Sequence, residues 1–272
     1  LQFPNISNHS WLRKPTCFFL RYLLKEKEIN SFSAEYPHLH GVDFVEQILE
    51  YFHFSYSTRD TEKENIPSEG RLVIIANNPI GSLDGLALIK LVSEVRRDIK
   101  VVANETSMSI TPLHSLLLPM NDDNTDNSHL DNIHTHLKNE GTLIIFPAGE
   151  VSRLKPQGVR DSRWRCDFLL MASSAQAPIL PIFIDGKTSP LFYPLSMIHK
   201  PLATLLLARE MFKQRTKHLP MRVGELIPYD SYNNSSIAPH QKVKLLQKHL
   251  YRLGQNRRVI FTTQKAIAPP ED

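Results

Sequence analysis

An α/β fold, built on one largely parallel, mixed sheet flanked by helices, is predicted by three observations. The segments 71–76 (RLVIIA), 142–146 (TLIIF) and 179–184 (ILPIFI) are continuous apolar runs of strand length, as strands buried on both faces require. Amphipathic helical patterns separate them, which is the alternation that wraps helices around a parallel sheet. Composition is uniform along the 272 residues, of which 41% are hydrophobic, so one sizeable core in one domain is expected.

The elements follow in order. Residues 1–40 read as an N-terminal helical arm. Within it, 11–27 (WLRKPTCFFLRYLLKEK) mixes Trp11, Phe18, Phe19 and Tyr22 with Arg13, Lys14, Arg21 and Lys25, suiting either an interfacial helix on an anionic bilayer or a surface helix on its own domain. Pro15 must then lie in its first turn. The catalytic domain is expected over 41–265. It opens with a helix over 41–54, where Val42, Val45, Ile48 and Leu49 fall at helical spacing, and an alternating strand follows at 55–58. A turn at 65–70 contains Pro67, and the strand 71–76 follows. A helix is predicted over 84–95, a short strand over 100–103, a polar loop over 121–128 (NDDNTDNS), and a helix over 130–137 stopped by Gly141. The strand 142–146, a helix over 163–174, the strand 179–184 and a late strand at 221–224 complete the domain. The tail 266–272 (AIAPPED) reads as disordered.

A formal net charge of +4 and a pI near 9.0 suggest an anionic neighbour, a lipid headgroup or an acidic carrier protein. Nucleic acid is not expected as a partner. No run approaches the roughly 20 apolar residues of a membrane span, so peripheral attachment is expected. Cys17 and Cys166 form neither a metal nor a disulfide pattern, as in a reducing compartment. There is no initiator methionine and no export cleavage pattern. His129, His134 and His136 share one predicted helix without a completing ligand, so no metal site is expected.

In open α/β sheets, sites form where strands end and helices begin. The turn after Ala76 reads Asn77-Asn78-Pro79-Ile80-Gly81-Ser82-Leu83-Asp84-Gly85, and the turn after the second long strand reads Phe146-Pro147-Ala148-Gly149-Glu150-Val151-Ser152-Arg153. Taken singly, each also reads as a helix-capping turn, with Asp84 or Ser82 as the cap and Gly81 and Gly149 at positive φ. No G-x-S-x-G elbow exists, which argues against a serine hydrolase built on Ser82.

The pair of turns, in this order, resembles the two signature motifs of the PlsC-type glycerolipid acyltransferases. The similarity is greatest to the branch that makes ornithine and glycine lipids and once carried a hemolysin label. The resemblance runs from about Trp11 to Pro228 and includes Ala103-Asn104-Glu105, Trp164 and Arg222-Val223-Gly224. It implies the glycerol-3-phosphate acyltransferase type of fold and transfer of a thioester-bound acyl group to a lipid hydroxyl. The donor would be carried on the phosphopantetheine arm of an acidic carrier protein, with no cofactor held by the enzyme. The acceptor would be an anionic membrane lipid at the cytoplasmic face of the bacterial inner membrane.

One position departs from that family. Its catalytic histidine is replaced here by Asn78, and a neutral amide has no basic lone pair at physiological pH. Three readings of Asn78 stand open: an engineered substitution, a natural non-catalytic lipid-binding protein, and an active transferase that does without the base. The last is favoured by a resemblance to the lipid A glycyltransferases of bacterial polymyxin resistance, which implies glycyl transfer to a hydroxyl of lipid A. The alternative is fatty-acyl transfer to a lyso-aminolipid or lysophospholipid.

Asn77 and Asn78 are then candidate oxyanion donors, with capping of a strand end as the other reading of Asn77. Asp84 is expected to contact the donor's ammonium, to serve as a weak base or to cap the helix. Glu150 is expected to position a hydroxyl or hold Arg153, and Arg153 to clamp the acceptor's headgroup, with Gly81, Ser82, Gly149 and Ser152 completing the substrate site. Lys155, Arg160, Arg163 and Arg165 form a basic cluster beside it. His114 is a remote candidate for the missing base.

Overall fold

The computed structural model describes residues 36–103, 108, 110–120, 128–156, 158–188, 210–233 and 236–255. The arm up to residue 35, Asn104 and Glu105, most of the polar loop and the tail 266–272 lie outside them.

Among the described residues, seven strands form one sheet in the order β1-β9-β8-β2-β5-β3-β4. Its centre is β8 (Ile179–Ile184), β2 (Leu72–Ala76), β5 (Thr142–Ile145), β3 (Ile99–Ala103) and β4 (Leu117–Pro119), all mutually parallel. The late strand β9 (His218–Val223) runs antiparallel to β8, and β1 (Ser55–Ser57) pairs parallel to β9. This is the mixed, largely parallel sheet that the apolar runs predict.

β2 lies at the centre and every one of its residues is buried. Its alternation divides the core. Leu72, Ile74 and Ala76 join the cluster under α1 (Gly41–Tyr51) and α3 (Leu83–Ser93), while Val73 and Ile75 join the cluster under α4 (Ser128–Lys138), α5 (Asp167–Ser174) and the C-terminal helix α7 (Pro239–Leu253). Helices thus cover both faces, and the C-terminal ends of β2 and β5 lie side by side through the pairs Ile74↔Ile144 and Ile75↔Ile145.

Several elements carried no clear sequence signal. Short α2 (Asp60–Lys63), α6 (Tyr229–Tyr232), a 3₁₀ turn (Thr111–Leu116) and the hairpin of β6 (Arg153–Lys155) with β7 (Gly158–Arg160) are too brief for periodicity to register. The helix predicted from residue 163 starts at Asp167, because Trp164 is held by a side-chain bond to Asp161 ahead of it. The α4 terminus is also corrected. Glu140, at φ +62, takes the left-handed position, with its N–H donating to Leu137 O (3.1 Å) and that of Gly141 to His136 O (3.0 Å). Gly141 is required for a different reason: a Cβ there would lie 2.3 Å from the His136 ring, whose Nε2 donates to Thr142 O at 2.9 Å.

α7 also brings a titratable group into the core. His249 is buried, and desolvation, reinforced by Arg252 and opposed by Glu225, brings its pKa down to about 4. Because the unfolded imidazole takes up its proton near pH 6.5, this site contributes stability above that pH and loses it as pH falls toward 4. The full loss is on the order of 3 kcal/mol. Urea unfolding is expected to show this slope in the wild type and a flatter one in His249→Leu. Parallel profiles for the two proteins would refute the assignment.

Candidate active site

Both singled-out turns leave the same edge of the sheet, and three sets of contacts shape them. At the end of β2, the Asn77 side chain acts as an extra ladder rung: its Nδ2 donates to Ile184 O (2.8 Å) and its Oδ1 accepts from Ile184 N–H (2.7 Å). The amide imitates a peptide group and ties β2 to β8 one step beyond their paired residues. Of the two roles considered for Asn77, this geometry is that of the strand-end clamp.

The chain then turns through Pro79 and Ile80 onto Gly186. A Cβ at Gly186 would sit 2.9 Å from Pro79 Cγ and 3.0 Å from Ile80, so the close approach needs glycine. Gly81 follows at φ +80. Behind this turn lies Asp84, fully buried in the first turn of α3. Its Oδ2 accepts the N–H groups of Ile80 (2.7 Å) and Gly81 (3.1 Å), and its Oδ1 those of Ser82 (2.8 Å) and Gly85 (3.0 Å). Burial pushes the Asp84 carboxyl above the ordinary carboxylate range, and the four N–H donors oppose that rise.

With no exposed surface and both oxygens engaged, Asp84 organises the turn and presents nothing to a substrate. No hydrogen bond joins it to Asn78 among the described residues. Ser82 stands at the N-cap position of α3 but makes no capping bond, because Asp84 supplies it; its hydroxyl is buried and has no partner among the described residues.

In the second turn, Gly149 lies at φ +65 and its N–H closes a turn on Phe146 O (3.0 Å). A Cβ at Gly149 would meet nothing within 4 Å, so the glycine answers the backbone angle and the space above it is open. Asn78 is stitched to this turn. Its carbonyl accepts Ser152 N–H (2.7 Å), and its Nδ2 reaches Glu150 O only at 3.5 Å. Its own N–H reaches Asp161 Oδ1 (3.3 Å). The same buried carboxylate accepts the Ser152 hydroxyl and Trp164 Nε1–H (2.8 Å). Burial raises the Asp161 carboxyl, against the pull of these donors.

Asp161 is the residue that sequence reasoning missed. It looks like one more charge in a basic stretch, and only the neighbouring Trp164 hinted at an enclosed site. Ser152, a candidate for substrate contact, is buried and spent on this clasp.

Glu150 and Arg153 remain at the surface as an ion pair (2.7 Å), each side chain 42% exposed. Partial burial raises Glu150, but Ser162, Arg153 and Lys155 outweigh it and hold the carboxyl below its ordinary range, which makes Glu150 a weak base. The basic cluster divides. Arg165 pairs with Asp167, whereas Lys155 and Arg160 turn toward α7. The His114 Nε2 donates to Met108 O at 2.6 Å.

Together the turns offer a donor and no free base. The Asn78 side-chain amide, only loosely engaged at 3.5 Å, can donate to a developing oxyanion, whereas the Gly149 N–H is spent on Phe146 O and the Ser82 hydroxyl is buried; no unpaired carboxylate or imidazole among the described residues of the two turns can take a proton.

Comparisons with known proteins agree with this fold. The chain is 28% identical to a lyso-glycine lipid O-acyltransferase of Bacteroides thetaiotaomicron over 253 residues, covering 90% of this chain and 92% of the relative. It is 26% identical to one of Phocaeicola vulgatus, covering 86% of each. The crystal structure of PlsC, the 1-acyl-sn-glycerophosphate acyltransferase of Thermotoga maritima, superposes with a TM-score of 0.50 at 18% identity, over 92% of this chain and 87% of that one, which supports the fold. Residues 5–257, nearly the whole chain, match the family described as Acyltransferase. With two paired turns at the carboxyl edge of a matching sheet, the chain is an enzyme that belongs to the acyltransferase family.

Proposed function

We propose that this acyltransferase moves a glycyl group from the phosphopantetheine thioester of an acidic carrier protein to a hydroxyl of lipid A, as a lipid modification of the polymyxin-resistance type. The enzyme would act peripherally, at the cytoplasmic face of the bacterial inner membrane. The observation that carries this reading is an amide donor at Asn78 with no general base among the described residues of the two turns. A glycyl thioester needs less help than a fatty one. Its α-nitrogen withdraws electrons from the carbonyl carbon, and once deprotonated it is itself a base.

In the balanced step, the acceptor hydroxyl oxygen bonds to the thioester carbonyl carbon. The hydroxyl proton passes to the glycyl amine, and the carbonyl oxygen develops charge toward the Asn78 side-chain amide. The carbon–sulfur bond then breaks, and the carrier thiolate leaves and takes up that proton from the glycyl ammonium.

Fatty-acyl transfer to a lyso-aminolipid is the second reading, and the names of the two relatives favour it. Mass spectrometry separates the two. Incubation with glycyl-carrier and lipid A is expected to add one glycyl mass to the lipid. Acyl transfer from acyl carrier protein to a lyso-aminolipid, with no glycyl product, would overturn the first reading in favour of the second.

Arg153, held by Glu150 at the mouth of the site, is suited to an anionic group of the acceptor. Arg153→Ala is expected to raise KM for the lipid roughly tenfold with little change in kcat, the pattern of lost uniform binding. An unaltered KM would make Arg153 a solvated charge.

A further inference from the structure

Next to the reacting turns, the β6–β7 hairpin and α7 flank an open cleft of about 460 Å³. Five cations line it: Lys155 and Arg160 from the hairpin, and Lys244, Lys248 and Arg252 from α7. The three on α7 stand at i, i+4 and i+8, so they share one face of the helix, where like charges destabilise it. None of the five pairs with a carboxylate side chain among the described residues. Arg160 lies 4.1 Å from the centroid of the Tyr251 ring, and Lys155 Nζ donates to the Asp161 carbonyl (2.7 Å), so two of the cations are held in place by neutral groups. Repulsion of this kind, with the buried carboxylate of Asp161 as the one acid in the lining, suits a ligand that carries more than one negative charge.

The position of the cleft narrows the ligand. Asp161 belongs to both sites: its carboxylate holds Asn78 and Ser152, and its backbone N–H donates to the hydroxyl of Tyr251 in the cleft wall (2.6 Å). The cleft is therefore one residue removed from the reacting turn. In a phosphopantetheine donor the whole length of the arm separates the phosphate from the thioester, which does not suit a cleft adjoining the reacting turn. An acceptor lipid, by contrast, can hold a phosphate close to its reacting hydroxyl. A lone carboxylate headgroup would leave most of the five cations uncompensated, whereas a phosphate monoester carries a charge of about −1.5 to −2 and three acceptor oxygens.

We infer that the cleft between the β6–β7 hairpin and α7 binds a phosphate group of the acceptor lipid, so that this enzyme takes a phosphorylated lipid in preference to a carboxylate-headed one. The inference rests on the lipid acyltransferase reading and adds a headgroup site apart from Arg153.

The test compares two single-chain lipids, dodecyl phosphate and dodecanoate, by calorimetric titration of the full-length protein below their micelle concentrations. The phosphate lipid is expected to bind at least about tenfold more tightly, a preference that fades as salt rises. Replacing Lys244, Lys248 and Arg252 together with alanine removes exposed side chains, and circular dichroism verifies the fold. This variant is expected to lose about tenfold or more in affinity for dodecyl phosphate and less than about threefold for dodecanoate. A control, Lys242→Ala, changes a lysine of α7 that does not line the cleft and should bind as the wild type does.

Inorganic phosphate should compete only weakly if the group arrives on a lipid; competition as strong as that of dodecyl phosphate would make this a free-phosphate site and overturn the assignment to the acceptor. Equal affinity for the two lipids, or an unaffected triple variant, would overturn the inference as well. Its failure is separable from failure of the functional reading, because transfer to a carboxylate-headed acceptor with equal lipid affinities sinks only the cleft.

Discussion

Asp84→Ala is expected to lower stability by about 3–5 kcal/mol, since four N–H groups, one buried and three part-buried, lose their acceptor and each unsatisfied donor costs about 1–3 kcal/mol before local rearrangement or water makes up part of it. For a chain of this length that corresponds to a fall in Tm of roughly 10 °C. Turnover should fall at least about 100-fold, because the turn that presents Asn78 depends on those bonds and small misplacements at a reacting centre are costly. Thermal unfolding and the mass-spectrometric transfer assay check both effects.

The pH profile separates organisation from chemistry. If Asp84 only shapes the turn, residual activity of the variant keeps the wild-type pH dependence. Loss of one limb of the profile would make Asp84 a proton acceptor after all, and wild-type stability would refute the four-bond account.

Asn78→His places an imidazole at the position where the resemblance implies one, yet it is expected to leave glycyl transfer similar or lower and fatty-acyl transfer near zero. The reason is geometric. An imidazole works as a base when a carboxylate orients it, and both oxygens of Asp84 are committed to backbone N–H groups. The nearby carboxylate of Asp161 already serves Asn78 N–H, Ser152 and Trp164. The new ring would also remove the amide donor. A positioned base contributes roughly 100-fold or more. A gain of that size with a fatty donor, and no glycyl transfer in either protein, would therefore sink the glycyl reading. Such a gain would come with a new titration near neutrality.

Much of this was legible in the sequence. Short apolar runs such as 71–76 and 179–184, rich in Ile and bounded by turn residues, indicate buried parallel strands, because they have strand length and a buried helix would need a longer run. The two turns were legible because glycine, proline and short polar residues cluster where a strand hands over to a helix. Asn78, as a residue without a base, was equally plain, since basicity belongs to the side chain itself.

Contact geometry is a property of the folded chain, and it decided the rest. Whether Asp84 faces a substrate or four N–H groups, and whether Asn77 donates to a ligand or bridges to Ile184, depends on backbone atoms up to about a hundred residues away. Asp161 reads as a surface charge until Trp164, Ser152 and Asn78 are seen converging on it. Likewise, Lys155 and Arg160 became one half of a cleft only because α7, some ninety residues later in the chain, packs beside their hairpin. Residue types set which chemistry is available here, and long-range packing set which groups remain free to perform it.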